Sequence, residues 1–136
     1  MAIPISYDVR GTATDEEIEA LHAVAFAHVP EDTPWNERLL ARSLTWVTAR
    51  RDGELIGFVH VAGDGGRHAF LLDTCVHPAA QGRGVGRRLV AEAVAEATLQ
   101  GAEWMHVDYE PQLARFYEDA CGMRSTSAAL LRLRRF

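Results

Sequence analysis

Lysine is absent from the chain, and all 14 basic residues are arginine. A Walker phosphate loop ends in Gly-Lys-Ser/Thr, so nucleotide binding of that kind is excluded. Cysteine is nearly absent. Cys75 and Cys121 stand far apart with no metal-type spacing, so a reduced cytoplasmic protein without a metal is expected. No apolar run approaches the ~20 residues that a membrane span needs. The start, Met1-Ala2-Ile3-Pro4-Ile5, lacks a basic region followed by an apolar run, so no signal peptide is expected. Net positive charge is missing too: the formal charge is −5 and the pI about 5.6, which argues against nucleic acid as the main partner.

What is present is a chain of 136 residues that is 48% hydrophobic, enough for one core, so residues 1–136 are expected to form a single domain. One stretch stands out from the acidic background. Ala69–Cys75 is mostly apolar and of strand length, and Val76-His77-Pro78-Ala79-Ala80-Gln81-Gly82-Arg83-Gly84-Val85-Gly86-Arg87-Arg88 follows. Leu89, Val90, Ala93, Val94 and Ala97 then recur at helical spacing. Strand, glycine-rich turn and helix together aim backbone N–H groups at one point before a helix N-terminus, where the dipole is positive and anions bind. The glycines permit close approach, and Arg83, Arg87 and Arg88 add charge around the same point. A dinucleotide fingerprint would need a third glycine at Leu89 and fails.

Along the rest of the chain, Ile3–Val9 reads as a strand. Thr14-Asp15-Glu16-Glu17 is a capping box that opens a helix to about His28. A second helix, about Pro34–Ser43, places Trp35, Leu39 and Leu40 on one stripe. Leu44–Arg51 and Glu54–Ala62 form a hairpin about Asp52-Gly53, and His68–Val76 is the strand that feeds the cradle. Gly101 caps the cradle helix, Trp104–Asp108 is a short strand, Pro111 to about Cys121 a helix, and Leu130, Leu131 and Leu133 belong to a last strand.

Gln81-Gly82-Arg83-Gly84-Val85-Gly86, with Val76-His77-Pro78 ahead of it, resembles the pyrophosphate-binding segment of the GCN5-related N-acetyltransferases. Leu113–Met123 is similar to that family's other signature, an Ala-x-x-x-Tyr helix ending in Gly-Phe, and the order of elements agrees as well. The resemblance implies an α/β (α+β) fold with a twisted, mostly antiparallel mixed sheet of about six to seven strands flanked by about four helices. It implies acetyl-CoA as co-substrate and direct acetyl transfer to a primary amine, more readily that of a small molecule than of a protein. Homodimers are common in the family. A non-catalytic acyl-CoA-binding module of the same fold is the alternative.

The cofactor residues implied are Thr74, Cys75, Val76, Gln81, Gly82, Arg83, Gly84, Val85, Gly86, Arg87, Gln112, Phe116 and Tyr117. Tyr117 matches the residue that protonates the departing thiolate, and a phenol near pKa 10 suits a thiol near about 8.5. A backbone N–H near Val76 would polarise the acetyl carbonyl. Two departures stand out. Glu110-Pro111-Gln112 replaces the usual Asn at the start of the helix, and Tyr117 precedes Gly122 by five residues where four is commoner. One added helical residue would turn the phenol by about 100°. Asp108, Asp73 and His106 are the candidates to take the amine's proton where the two central strands splay apart. Glu31, Asp32 and Trp35 match the region that lines the acceptor pocket, and an acid pair with an aromatic suits an ammonium. A cationic acceptor also suits the acidic surface.

Overall fold

The capping box predicted at Thr14 forms: Thr14 Oγ1 accepts from the Glu17 N–H and Glu17 Oε1 from the Thr14 N–H, each at 3.0 Å. In the computed structural model, which describes residues 3–134, it opens helix α1, Asp15–Phe26, ended by Ala27 in the left-handed region at φ 56°. Strand β1 is Ile5–Val9 and helix α2 Trp35–Arg42. Strands β2 (Ser43–Arg51) and β3 (Glu54–Gly63) meet at Asp52 and Gly53, whose φ of 53° and 78° make the tight hairpin that Asp-Gly favours. Strand β4 is His68–Val76, helix α3 Val85–Leu99 and strand β5 Trp104–His106.

The sheet order is β1-β2-β3-β4-β5, antiparallel throughout except for the parallel β4–β5 pair. Strand β3 is central and buried from Leu55 to Val61, which both faces of the sheet require. One face carries α3, whose Val85, Leu89, Ala93 and Ala97 pack on Val47, Ala49 and Val61. The other carries α1 and α2, with Ile18, Leu21, Trp35 and Leu39 over Phe58 and Cys75. Gly57 sets the first spacing: a Cβ there would lie 2.9 Å from Leu89 Cδ1 and 3.1 Å from Val85 Cγ1.

Several expectations need correction. Among the described residues the sheet has five strands, not six or seven. Residues 124–134 form no strand, and Leu130, Leu131 and Leu133 are 88%, 80% and 88% exposed. Strand β5 offers a template of only three residues, and its pairing with β4 ends at Phe70 opposite His106. Asp108 therefore lies beyond the strand that was expected to carry it. Leu40 is 78% exposed, because five positions on from Trp35 it falls about 140° round the helix. Pro111–Cys121 is not one regular helix: a 3₁₀ turn at Pro111–Leu113 leads into a π-helical turn at Phe116–Ala120.

Candidate active site

His77 anchors the cradle. Its N–H donates to the Ile56 carbonyl at 2.8 Å, and its Nδ1 accepts from the Ala79 N–H at 3.1 Å. Gly84, at φ 77°, is the N-cap of α3, and no side chain caps the helix there. The first-turn N–H groups are thus open on the side where an anion is favoured. At Gly86 a Cβ would lie 3.1 Å from the Phe116 ring, so only glycine lets the last helical segment come this close to α3.

Between β4, the cradle and that segment opens a cavity of about 440 Å³. Of the residues expected to hold a cofactor, Thr74, Val76, Gln81, Gly82, Gly84, Val85, Gly86, Arg87, Phe116 and Tyr117 line it. Ala80, Leu113 and Ala120 line it too and carried no motif signal. Cys75, Arg83 and Gln112 are not among the lining residues. Cys75 is packed in the core under α1 and α2, where burial and the nearby Asp73 push its thiol pKa up, so it is no nucleophile. Arg88 is drawn off the cradle by Glu92, at 2.8 Å, and by the Tyr7 ring, 4.7 Å below its guanidinium.

Tyr117 sits at the inner end of this cavity, 6% exposed, with its ring stacked on Tyr109 at 5.2 Å and edge-on to Phe116 at 4.8 Å. Burial raises the phenol pKa, and a hydrogen bond with the Thr74 side chain opposes that rise. The supernumerary residue before Gly122 is taken up by the π turn, in which the Cys121 N–H reaches the Phe116 carbonyl at 3.0 Å. The expected 100° rotation is thereby absorbed, and Tyr117 still faces Thr74.

On the other face of the sheet a bulge decides the arrangement. The β3–β4 register shifts between Phe58 and His60, and Asp73 takes φ 56°. Ahead of the bulge Ala69 and Leu71 face α3, whereas after it Cys75 faces α1 and α2. The Asp73 carboxylate reaches His22 Nε2 of α1 at 2.9 Å and His60 Nε2 of β3 at 2.7 Å. Burial pushes its pKa up, but the two imidazoles outweigh that and hold it below the usual carboxylate range. His60 Nδ1 meets Ser43 Oγ at 3.0 Å, and His22 Nδ1 meets His28 Nε2 at 2.6 Å.

Glu19 organises the loop between α1 and α2. This carboxylate is 5% exposed and accepts from the Glu31 N–H and from Trp35 Nε1, both at 2.9 Å. Glu31 and Asp32 have exposed side chains in that loop. Trp35 is 3% exposed, walled in by His22, Phe58 and His60, with Arg38 4.8 Å over its ring. It is a core residue here and offers an ammonium no open face. His106 is stacked on Phe70 at 4.8 Å and bonded to His68 at 2.7 Å, which ties it to the paired part of β4 and β5. Asp108 is exposed.

The sequence from residue 13 to 123 matches the Acetyltransferase (GNAT) family. The chain belongs to that family. Among curated relatives, this GNAT domain is 31% identical over 118 residues to serotonin N-acetyltransferase 2, chloroplastic, of Oryza sativa subsp. japonica, covering 82% of the chain and 58% of the relative. It is 38% identical over 60 residues to the mycothiol acetyltransferase of Nocardia farcinica, covering 44% of the chain and 20% of the relative. The chain thus spans less than two thirds of either relative. Among solved structures it superposes on an aminoglycoside N-acetyltransferase in complex with CoA at a TM-score of 0.75 and 24% identity, over 98% of this chain and 97% of that one. The fold is therefore that of the GNAT acetyltransferases.

Two groups in this GNAT domain escaped the sequence reading. Glu19 reads as one acid on a helix, and His22, His28 and His60 lack any fixed spacing. Only the bulge at Asp73 brings His22 and His60 onto one carboxylate, and no local sequence signal announces it.

Proposed function

We infer that residues 1–136 act as one N-acetyltransferase domain in the reducing cytoplasm, moving acetyl from acetyl-CoA to a primary amine of a small molecule. The observation that carries this is the pairing of an uncapped helix N-terminus with a buried phenol across one cavity. About 440 Å³ is within the range of small-molecule sites, about 300–1,000 Å³. The open N–H groups of the first turn of α3 and Arg87 suit the pyrophosphate, and Gly82, Gly84 and Gly86 leave the cradle clear of side chains. The CoA complex of the structurally similar aminoglycoside acetyltransferase supports the same cofactor.

Bound acetyl-CoA supplies an activated thioester. Tyr117 holds a proton at its Oη for the leaving sulfur, with Thr74 fixing the phenol's direction. A backbone N–H near Val76 serves as donor to the carbonyl oxygen. Asp73 takes the acceptor side, where a carboxylate holds an ammonium, and Glu31 and Asp32 add acidic charge to the loop above it. Trp35 packs this region from below.

Calorimetric titration with acetyl-CoA and desacetyl-CoA, followed by thiol release against a panel of primary amines, tests the reading. Binding of both, with thiol released on at least one amine, is expected. No binding would refute the cradle, and binding without release on any amine would leave a cofactor-binding module in place of an enzyme.

A further inference from the structure

The π turn that carries Tyr117 is weakly held by its own backbone. It spans Phe116–Ala120 and closes with the i→i+5 bond from the Cys121 N–H to the Phe116 carbonyl at 3.0 Å. No side chain caps its start, and the last strand, β5, has already ended at His106. The direction of the phenol is therefore set by contacts from elsewhere. Thr74 of β4 bonds its hydroxyl. Phe116, seated against Gly86 of α3, meets the ring edge-on at 4.8 Å. Tyr109 lies on its face, with 5.2 Å between the ring centres and 28° between the planes.

Tyr109 has an anchor of its own. Its hydroxyl donates to Glu118 Oε2 at 2.9 Å, and Glu118 follows Tyr117 on the same turn. That bond raises the Tyr109 pKa above its ordinary value near 10, so at neutral pH the phenol keeps the hydrogen it donates. Tyr109 stands three residues beyond His106, so the stack and the hydrogen bond together tie the turn to the edge of the sheet. The two contacts do different things. The stack covers one face of the Tyr117 ring, and the hydrogen bond keeps the Tyr109 ring from sliding off it. Tyr109 and Glu118 are not among the residues that line the cofactor cavity, whereas Phe116 and Tyr117 are. Their effect on a bound cofactor therefore passes through Tyr117.

We propose that Tyr109 and Glu118 are positioning residues for acetyl transfer: the Tyr109 ring, locked by Glu118, braces the Tyr117 ring so that its hydroxyl stays aimed into the cofactor cavity. The proposal rests on the acetyl-transfer reading and on Tyr117 as the acid. A general acid works only when its hydrogen lies within reach of the atom that receives it, and a misplacement of about 1 Å costs about 100-fold in rate. The hydroxyl is at the far end of its side chain, so any tilt of the ring displaces it most. Phe116 belongs to the same turn and moves with it, while the single hydrogen bond to Thr74 fixes a distance and leaves an arc. Of the three contacts, the Tyr109 stack is the one that meets the ring face from outside the turn.

The test uses the full chain and an amine that releases thiol in the panel above, with each variant made in the wild type and again beside Tyr117→Phe. Tyr109→Phe removes one oxygen and keeps the stack, so folding is retained; kcat is expected to fall about 10-fold with the KM for acetyl-CoA within about twofold. Tyr109→Leu loses the stack as well, and about 100-fold is expected. Glu118→Ala should match Tyr109→Phe, whereas Glu118→Gln, whose amide oxygen still accepts, should return kcat to within about threefold of wild type. Beside Tyr117→Phe each change is expected to alter kcat by less than about twofold, because no acid is left to aim. Equal losses in both backgrounds, or a loss confined to KM, would overturn the proposal in favour of plain structural support. Proton spectra read the brace without turnover: the Tyr117 ring protons should move downfield in Tyr109→Leu as the shielding ring leaves, and unchanged shifts would also overturn it. If the wild type turns over no amine, the acetyl-transfer reading fails and its positioning residues with it. The ring shifts still report separately whether Tyr109 holds Tyr117.

Discussion

Replacing Tyr117 with Phe removes one oxygen and leaves the ring where it is. The stack on Tyr109 at 5.2 Å and the edge contact with Phe116 at 4.8 Å do not involve the hydroxyl, so packing is retained. What is lost is the hydrogen bond with the Thr74 side chain, worth about 1 kcal/mol, or about 4 °C in Tm for a chain of this size. The kinetic cost is larger. A positioned general acid contributes about 10²–10⁴-fold, so kcat is expected to fall at least about 100-fold while the KM for acetyl-CoA changes little. The pH dependence follows from the direction of the shift. Burial raises the phenol pKa above its ordinary value near 10, so the acid form persists through neutral and mildly alkaline solution and imposes no alkaline fall below about pH 10. Initial-rate thiol release from pH 6 to 10, with thermal unfolding beside it, measures both quantities. A variant within about threefold of wild-type kcat would refute the acid role, because no general acid of useful strength is worth so little.

Three further outcomes follow from packing and charge. Arg50 Nη1 lies 2.7 Å from Glu17 Oε2, and its hydrogen bond, with the Thr14 N–H, lowers the Glu17 pKa to about 2. A depressed carboxyl stabilises the fold above its unfolded value near 4.5 and loses that contribution as pH falls toward about 2. Discounted for the exposure of Glu17, this is at most about 2 kcal/mol, and Tm of Arg50→Met should be less acid-sensitive than wild type over that window. Gly57→Ala puts a methyl 2.9 Å from Leu89 Cδ1 and 3.1 Å from both Ala49 Cβ and Val85 Cγ1, so urea unfolding should show a loss of about 1–3 kcal/mol. Glu19→Ala strands the Glu31 N–H and Trp35 Nε1–H; a loss of about 2–4 kcal/mol is expected in the same assay, with faster proteolysis between residues 27 and 34, and an unchanged cleavage rate would count against Glu19 as the loop's anchor.

What the amino-acid order determined by itself is what depends on neighbours a few positions apart. The Thr14–Glu17 box, the Asp52-Gly53 hairpin and the open N-terminus of α3 each rest on contacts or φ values within about four residues, and each formed where the pattern put it. The glycine cradle was legible for the same reason, because a missing Cβ is a property of the residue alone. Tertiary structure decided the rest. Whether Arg88 served the cradle depended on Tyr7 and Glu92, and whether Trp35 faced a ligand depended on Phe58 and Arg38. The extra residue after Tyr117 became a π turn because Phe116 had to pack against Gly86 and Tyr117 against Tyr109. His22 and Asp73 are 51 positions apart, and only a left-handed residue in the middle of β4 turns that carboxylate toward α1. Short-range preferences are written into the residues themselves, whereas the cluster of His22, His60 and Asp73, drawn from three elements, exists only once the sheet has closed around its bulge.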